Sequence, residues 1–223
     1  MLRVDTNSAG IRFVNVDTTS PEGIERARSL DLLGSRYTDF VVVSNLHGAT
    51  RLFDSPGYRG RIFALFRHPV KTASSMYYWL RETQRDVSSL TLLQYASSDQ
   101  AGVDNPLVRA LTGEDRYEGL GTSHLGHSRE VLRRYVLVGL PEFMDASLVR
   151  FEQYFGWWDG VADDVGRLRC QADLIMKGDT RGEHKSPDPG TPEYKALAVL
   201  HWADLELYHF AKELFEQQAA LIP

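Results

Sequence analysis

Arg61-Ile-Phe-Ala-Leu-Phe-Arg-His-Pro-Val-Lys-Thr-Ala-Ser-Ser-Met-Tyr-Tyr-Trp-Leu80 changes its periodicity halfway along. Its first part is a short apolar run of the kind that forms a buried parallel strand, and its second part places apolar residues at helical spacing. The joint is Arg67-His68-Pro69. Proline has a fixed φ and no amide donor, which suits the first turn of a helix, where that donor would be orphaned in any case. A strand ending in arginine therefore feeds a helix whose free amides point back toward the strand end. Amides, helix dipole and guanidinium together favour an anion there, and Ser75, two turns along, can add a hydroxyl. The structural alternative is a strand-end arginine paired with a carboxylate.

Working outward, the flanking segments alternate in type. Ile11 to Val16 reads as a strand. Ser20-Pro21-Glu22 is a helix start with a capping hydroxyl, proline at the first position and an acid in the first turn, and the helix is expected to run to about Leu33. Asp39 to Ser44 holds Phe-Val-Val-Val, a second buried strand, emptying into Asn45-Leu46-His47-Gly48. Beyond the central helix, expected from Pro69 to about Arg85, helices are predicted at Leu90 to Ser97, at Asn105 to a terminating Gly113, and at Thr122 to Arg134. A strand follows at Tyr135 to Leu140, then a helix from Pro141 to about Phe155. Cys170 to Thr191 is polar and rich in Gly, Pro and Asp, so it reads mostly as loop, and Pro192 opens a long amphipathic helix. The alternation predicts one α/β domain built on a parallel sheet.

Composition narrows the function classes. The 223 residues can bury a full core, and 43% hydrophobic with 25% charged residues is ordinary globular content. A net charge of −5 argues against a general nucleic-acid binder while leaving room for local basic pockets. Cys170 is alone, so neither an internal disulfide nor a cysteine zinc site can form. The N-terminal residues hold no apolar signal core, and no stretch is long enough to cross a bilayer, so no membrane segment is expected and the compartment stays open.

Arg67-x-Pro69, with Ser75 eight residues after the arginine and Met76-Tyr77-Tyr78-Trp79-Leu80 behind it, resembles the 3′-phosphate-binding segment of the sulfotransferases that use 3′-phosphoadenylyl sulfate. Asn105 to Gly113 resembles the Asn-x-x-x-Arg-x-Leu-Thr-Gly segment of carbohydrate-type members. Val138 to Trp157 and Asp204 to Gln218 resemble the later strand and helix and the C-terminal helix. The likeness is nearest to the algal and glycan 2-O-sulfotransferase-like branch. It departs at Thr72, where many relatives carry a second arginine.

The resemblance implies a P-loop NTPase-like parallel sheet flanked by helices, with Arg67 and Ser75 on the donor's 3′-phosphate. It implies 3′-phosphoadenylyl sulfate as donor, no metal, and a hydroxyl acceptor, foremost a carbohydrate. Sulfuryl transfer needs a base for the acceptor's proton, and histidine titrates near working pH. His47 follows a strand and sits in a glycine-containing turn, about where glycan 2-O members carry their base; the plain alternative is a solvated loop histidine. Arg109 faces either the nucleotide or acceptor or else a surface salt bridge. Lys185 and Arg181 lie in a segment that relatives fold over the nucleotide, against the alternative of solvated loop charges. His68 is expected to act locally, His124 and His127 to lie on a solvated helix face, and Tyr77, Tyr78 and Trp79 to be core.

Members of the family open with a strand and a glycine-rich turn holding lysine, which binds the 5′-phosphosulfate. No such run precedes Arg67, and registering the remaining pieces puts it upstream of Met1. The expectation is therefore a sulfotransferase domain whose first strand and donor loop are absent from this sequence, either because the sequence is incomplete or because the protein is a remnant without transferase activity. The rival readings are a non-catalytic binding protein of the same fold and a nucleotide kinase-like phosphotransferase.

Overall fold

The computed structural model describes residues 1–8, 10–53, 60–114, 119–160, 162, 164–179 and 185–221. The chain divides into two compact units, Met1–Arg61 with Leu107–Gly119, and Ile62–Pro106 with Leu120–Pro223.

In the first unit, β1 (Val4–Thr6) and β2 (Arg12–Val14) form an antiparallel hairpin in register Val4↔Val14. Sequence reading placed the Ile11 to Val16 strand in a parallel sheet, and the hairpin corrects that. Asn7 decides the outcome, because its amide donates to the Ile11 carbonyl and its side-chain oxygen accepts from the Ile11 amide, closing a turn with Gly10 at φ 79°. Helix α1 (Pro21–Ser29) starts as expected, Ser20 accepting from the Gly23 amide. The predicted strand at Asp39 to Ser44 has no ladder among the described residues. It is tied instead by the Thr18 hydroxyl donating to the Val42 carbonyl, with Phe40 and Val42 left exposed. A short helix α2 (Leu46–Ala49) and a 3-10 turn (Thr50–Phe53) follow. The core of this unit is Leu2, Ile24, Ala27, Leu32 and Leu52.

The second unit opens with β3 (Ile62–Leu65) and α3 (Pro69–Thr83), the strand and helix read from the central stretch. Val70, Ser74 and Tyr77 form the buried stripe of α3, while Lys71, Thr72, Ser75, Met76 and Trp79 face outward. Two short helices, α4 (Arg85–Ser88) and α5 (Leu92–Ala96), complete the packing around Tyr77, whose hydroxyl donates to the Leu90 carbonyl. Helix α6 (Pro106–Thr112) carries the chain into the first unit, and α7 (Thr122–Tyr135) returns directly into β4 (Val136–Gly139).

Strands β3 and β4 pair in parallel, Ile62↔Val136 to Leu65↔Gly139. The protein is thus α/β with a parallel pair, within a mainly helical chain. The other edge of β4 is closed by side chains. Gln218 accepts from the Val138 amide and donates to the Val136 carbonyl, and Arg150 donates to the Val138 carbonyl while lying 3.8 Å over the Phe215 ring. Gly139 is required because a Cβ there would come within 2.5 Å of the Phe151 ring.

Helix α8 (Met144–Phe155) follows a 3-10 turn at Pro141–Phe143. Helix α9 (Asp164–Asp179) occupies much of what reads as loop between Cys170 and Thr191. The correction has a tertiary cause: Arg167 and Gln171, one helical turn apart, both donate to the buried Glu152 carboxylate of α8, at 3.1 and 2.7 Å. The long C-terminal helix is two helices, α10 (Pro192–Leu200) and α11 (Trp202–Gln218), broken at His201.

Candidate functional site

The β3–α3 joint is built as its sequence demands. Phe66 is buried and donates its amide to the Gly139 carbonyl, so the strand is held up to the residue before Arg67. Arg67 turns out to solvent, His68 is the N-cap residue, and Pro69 is the first helical residue, buried. His68 makes no side-chain cap, so the first-turn amides of α3 have no hydrogen bond from the N-cap side chain. Ser75 is exposed and shares the i, i+4 row of Lys71, and Lys71 lies 3.8 Å from the Glu142 carboxylate. The joint therefore presents a guanidinium, an ammonium and a hydroxyl along one outward face at a helix N-terminus, which is chemistry for an anion.

Lys185 is 86% exposed at its side chain and lies 3.7 Å from Asp188. Its neighbour Ser186 meets the buried Ser74 hydroxyl at 3.4 Å, so the segment after residue 184 touches α3 at Ser74. Arg181 falls outside the described residues.

His47 and Arg109 belong to the first unit. Asn45 caps α2 by accepting from the Gly48 amide, and the exposed His47 follows it. Its imidazole lies against the end of α6: a Cβ on Gly113, which has φ 78°, would come within 2.6 Å of His47 Cδ2. Gly113 in turn closes the helix by donating to the Arg109 carbonyl. A glycine is needed there both for the backbone and to admit the ring. Arg109 is only 7% exposed, so it is not the surface ion pair that its helical position allows.

Several residues read as local or bland prove to be structural in specific ways. His124 Nδ1 accepts from the Gly121 amide and caps α7. Of the aromatic trio, Tyr77 is core but Trp79 is 58% exposed. Asn105, expected only to open a helix, is fully buried at φ 46°, and holds the break between α10 and α11: its side-chain oxygen accepts from the Ala203 and Asp204 amides and its nitrogen donates to the Leu200 carbonyl. His201 joins the same knot, its Nδ1 accepting from the Asn105 amide, and burial holds its pKa below the usual imidazole value. Nothing in the sequence pairs residues almost a hundred positions apart, so this knot has no local signal.

Around His68 the C-terminal helices supply aromatic neighbours. The rings of Tyr208 and Tyr194 lie 5.2 and 6.2 Å from the imidazole. Burial, with the Glu142 carboxylate beside it and hydrogen-bonded to it, pushes the Tyr208 phenol up to about 12. Among the described residues no group of three His, Cys, Asp or Glu side chains could hold a metal ion, and no helix is long and apolar enough to cross a membrane. No family profile, characterised protein or solved structure matches the chain.

Proposed function

We propose that the protein is a sulfuryl-transfer domain that binds the 3′-phosphate of 3′-phosphoadenylyl sulfate at the β3–α3 joint and serves a hydroxyl acceptor, foremost a carbohydrate, on a P-loop NTPase-like plan. The observation that carries this reading is the exposed Arg67 at the end of a paired strand, one residue before the N-cap and two before Pro69, with Ser75 on the outward face of the same helix. Arg67 contributes paired N–H donors, the α3 amides contribute the dipole, and Ser75 contributes a hydroxyl. Lys185 adjoins Ser186, which meets Ser74 of the same helix, and is assigned to a second phosphate oxygen, for which it would exchange its contact with Asp188. Arg109, being buried, is not carried into the proposed site.

In the reaction the acceptor oxygen forms a bond to sulfur as the bond from sulfur to the 5′-phosphate oxygen breaks. Adenosine 3′,5′-bisphosphate leaves with the electron pair, and a general base takes the acceptor's proton, the part that the family resemblance gives to His47.

Calorimetric titration with adenosine 3′,5′-bisphosphate tests the binding half. A charge-assisted hydrogen bond is worth about 1.5–3 kcal/mol, so Arg67→Ala is expected to weaken binding more than about tenfold, with a smaller loss for Ser75→Ala. Equal affinity in wild type and Arg67→Ala would remove the joint from the donor site. In a protein extended to carry the glycine-rich donor loop, His47→Ala is expected to leave nucleotide affinity intact while sulfate transfer drops by about 10²–10⁴.

A further inference from the structure

We propose that His68 is the pin of an acid-sensitive latch, holding α10 and α11 against the β3–α3 joint while its ring is neutral and releasing them when the ring takes a second proton.

The half-buried imidazole faces elements from three parts of the second unit. Tyr194 of α10 and Tyr208 of α11 lie against it, and Glu142, at the turn before α8, hydrogen-bonds the Tyr208 hydroxyl. Its own helix contributes Lys71, and α11 contributes His209 and Lys212. Nδ1 is buried and has no hydrogen-bond partner. A neutral ring tolerates this, because Nδ1 can remain a bare lone pair with the hydrogen on Nε2. An imidazolium carries hydrogen on both nitrogens, so protonation would place a donor where no acceptor stands, among aromatic rings and beside the Lys71 and Lys212 ammonium groups.

The balance of charges has the same sense. Burial, then Lys71, holds the His68 pKa below its ordinary value, with His209 and Lys212 adding to the depression, and only Glu142 opposes them. That carboxylate is already shared between the Tyr208 hydroxyl and Lys71, at 3.8 Å. A histidine with a depressed folded-state pKa adds no penalty above its unfolded value of about 6.5. As pH falls below that value the unfolded or opened form takes up the proton first, and the closed form loses ground until its own pKa is passed.

His68 couples this opening to the joint through the backbone. Its carbonyl accepts from the Thr72 amide at 3.0 Å and from the Thr72 hydroxyl at 3.3 Å, forming the first turn of α3. Movement of the ring away from Tyr194 and Tyr208 therefore bears directly on the turn that follows Arg67. The latch does not depend on what Arg67 binds.

The test is amide hydrogen exchange of α10 and α11 in wild type, His68→Phe and His68→Gln, expressed as protection relative to intrinsic exchange at each pH. Between pH 7.5 and 5 the wild type is expected to lose protection by up to about tenfold per pH unit more than either variant, the limit set by one proton. His201 is present in all three proteins and cancels in the comparison, and His209, which interacts with His68, is replaced by glutamine in all three. A parallel decline in the three proteins would overturn the latch. Should the variants fail to fold, the wild-type His68 imidazole followed by NMR decides: a midpoint below 6.5 accompanied by loss of Tyr194 and Tyr208 ring contacts supports it, and a midpoint at or above 6.5, or contacts unchanged through the titration, rejects it.

Discussion

Replacing Asn105 by alanine should open the break between α10 and α11, and the size of the effect follows from its hydrogen bonds. The wild-type side chain accepts from the Ala203 and Asp204 amides at 2.8 and 3.1 Å and donates to the Leu200 carbonyl at 3.2 Å. Asn105 is fully buried, as are Ala203 and Asp204, so water has no ready access to the amides left behind. An orphaned buried polar group costs about 1–3 kcal/mol, so the two amides contribute about 2 kcal/mol even at the low end of that range, the part-buried Leu200 carbonyl adding less. Alanine must also adopt the φ of 46° found here, which adds about 1 kcal/mol. Asn105→Gly loses the same hydrogen bonds but accepts that φ, so the gap between the two variants measures the backbone contribution. Urea unfolding followed by far-ultraviolet circular dichroism is the assay. With a slope of about 1–3 kcal/mol per molar urea, a loss of 3 kcal/mol lowers the midpoint by about 1 M or more. Both variants unfolding within about 0.5 kcal/mol of wild type would show that the helix break is held by something other than Asn105.

Gln218→Ala should destabilise the second unit by about 2 kcal/mol or more, because the Val138 amide and Val136 carbonyl lose their partner at a buried strand edge; chemical unfolding checks it. Gly113→Ala should displace the His47 ring, with a Cβ 2.6 Å from Cδ2 and a backbone φ of 78° that costs alanine about 1 kcal/mol. If His47 is the acceptor's base, sulfate transfer should fall in this variant while bisphosphate affinity holds, and unchanged transfer would count against that role. Tyr208 should remain protonated when the exposed tyrosines ionise, seen as a late step in an ultraviolet titration that shrinks in Tyr208→Phe, with Tyr95, whose phenol is also pushed up by burial, accounting for what remains. Its pKa of about 12 lies above the unfolded value of about 10, so its contribution to stability is present below pH 10 and is lost as pH rises toward 12.

Local physical chemistry sufficed wherever a segment's neighbours along the chain decide its state. The 61–80 stretch folds as a strand and a proline-started helix because strand period, helix period and proline geometry are all encoded within those residues. The caps at Ser20 and the stop at Gly113 are of the same kind, since the atoms that satisfy them lie within four residues. The place of Arg67, one residue before the N-cap of that helix, follows from the same local order.

Tertiary structure decided what depends on partners remote in sequence. A strand exists only where another offers its ladder, so Asp39 to Ser44, although apolar and β-branched, stays outside any sheet, while β2 pairs with a neighbour that its own turn brings back. Glu152 holds together a helix where composition indicates loop, and Asn105 divides a helix that periodicity reads as continuous. The edge of β4 is closed by Gln218, eighty residues from Val138, and His68 is packed by rings from α10 and α11. Buried polar groups must find a partner wherever the fold supplies one, and the identity of that partner is written in three dimensions rather than in spacing along the chain.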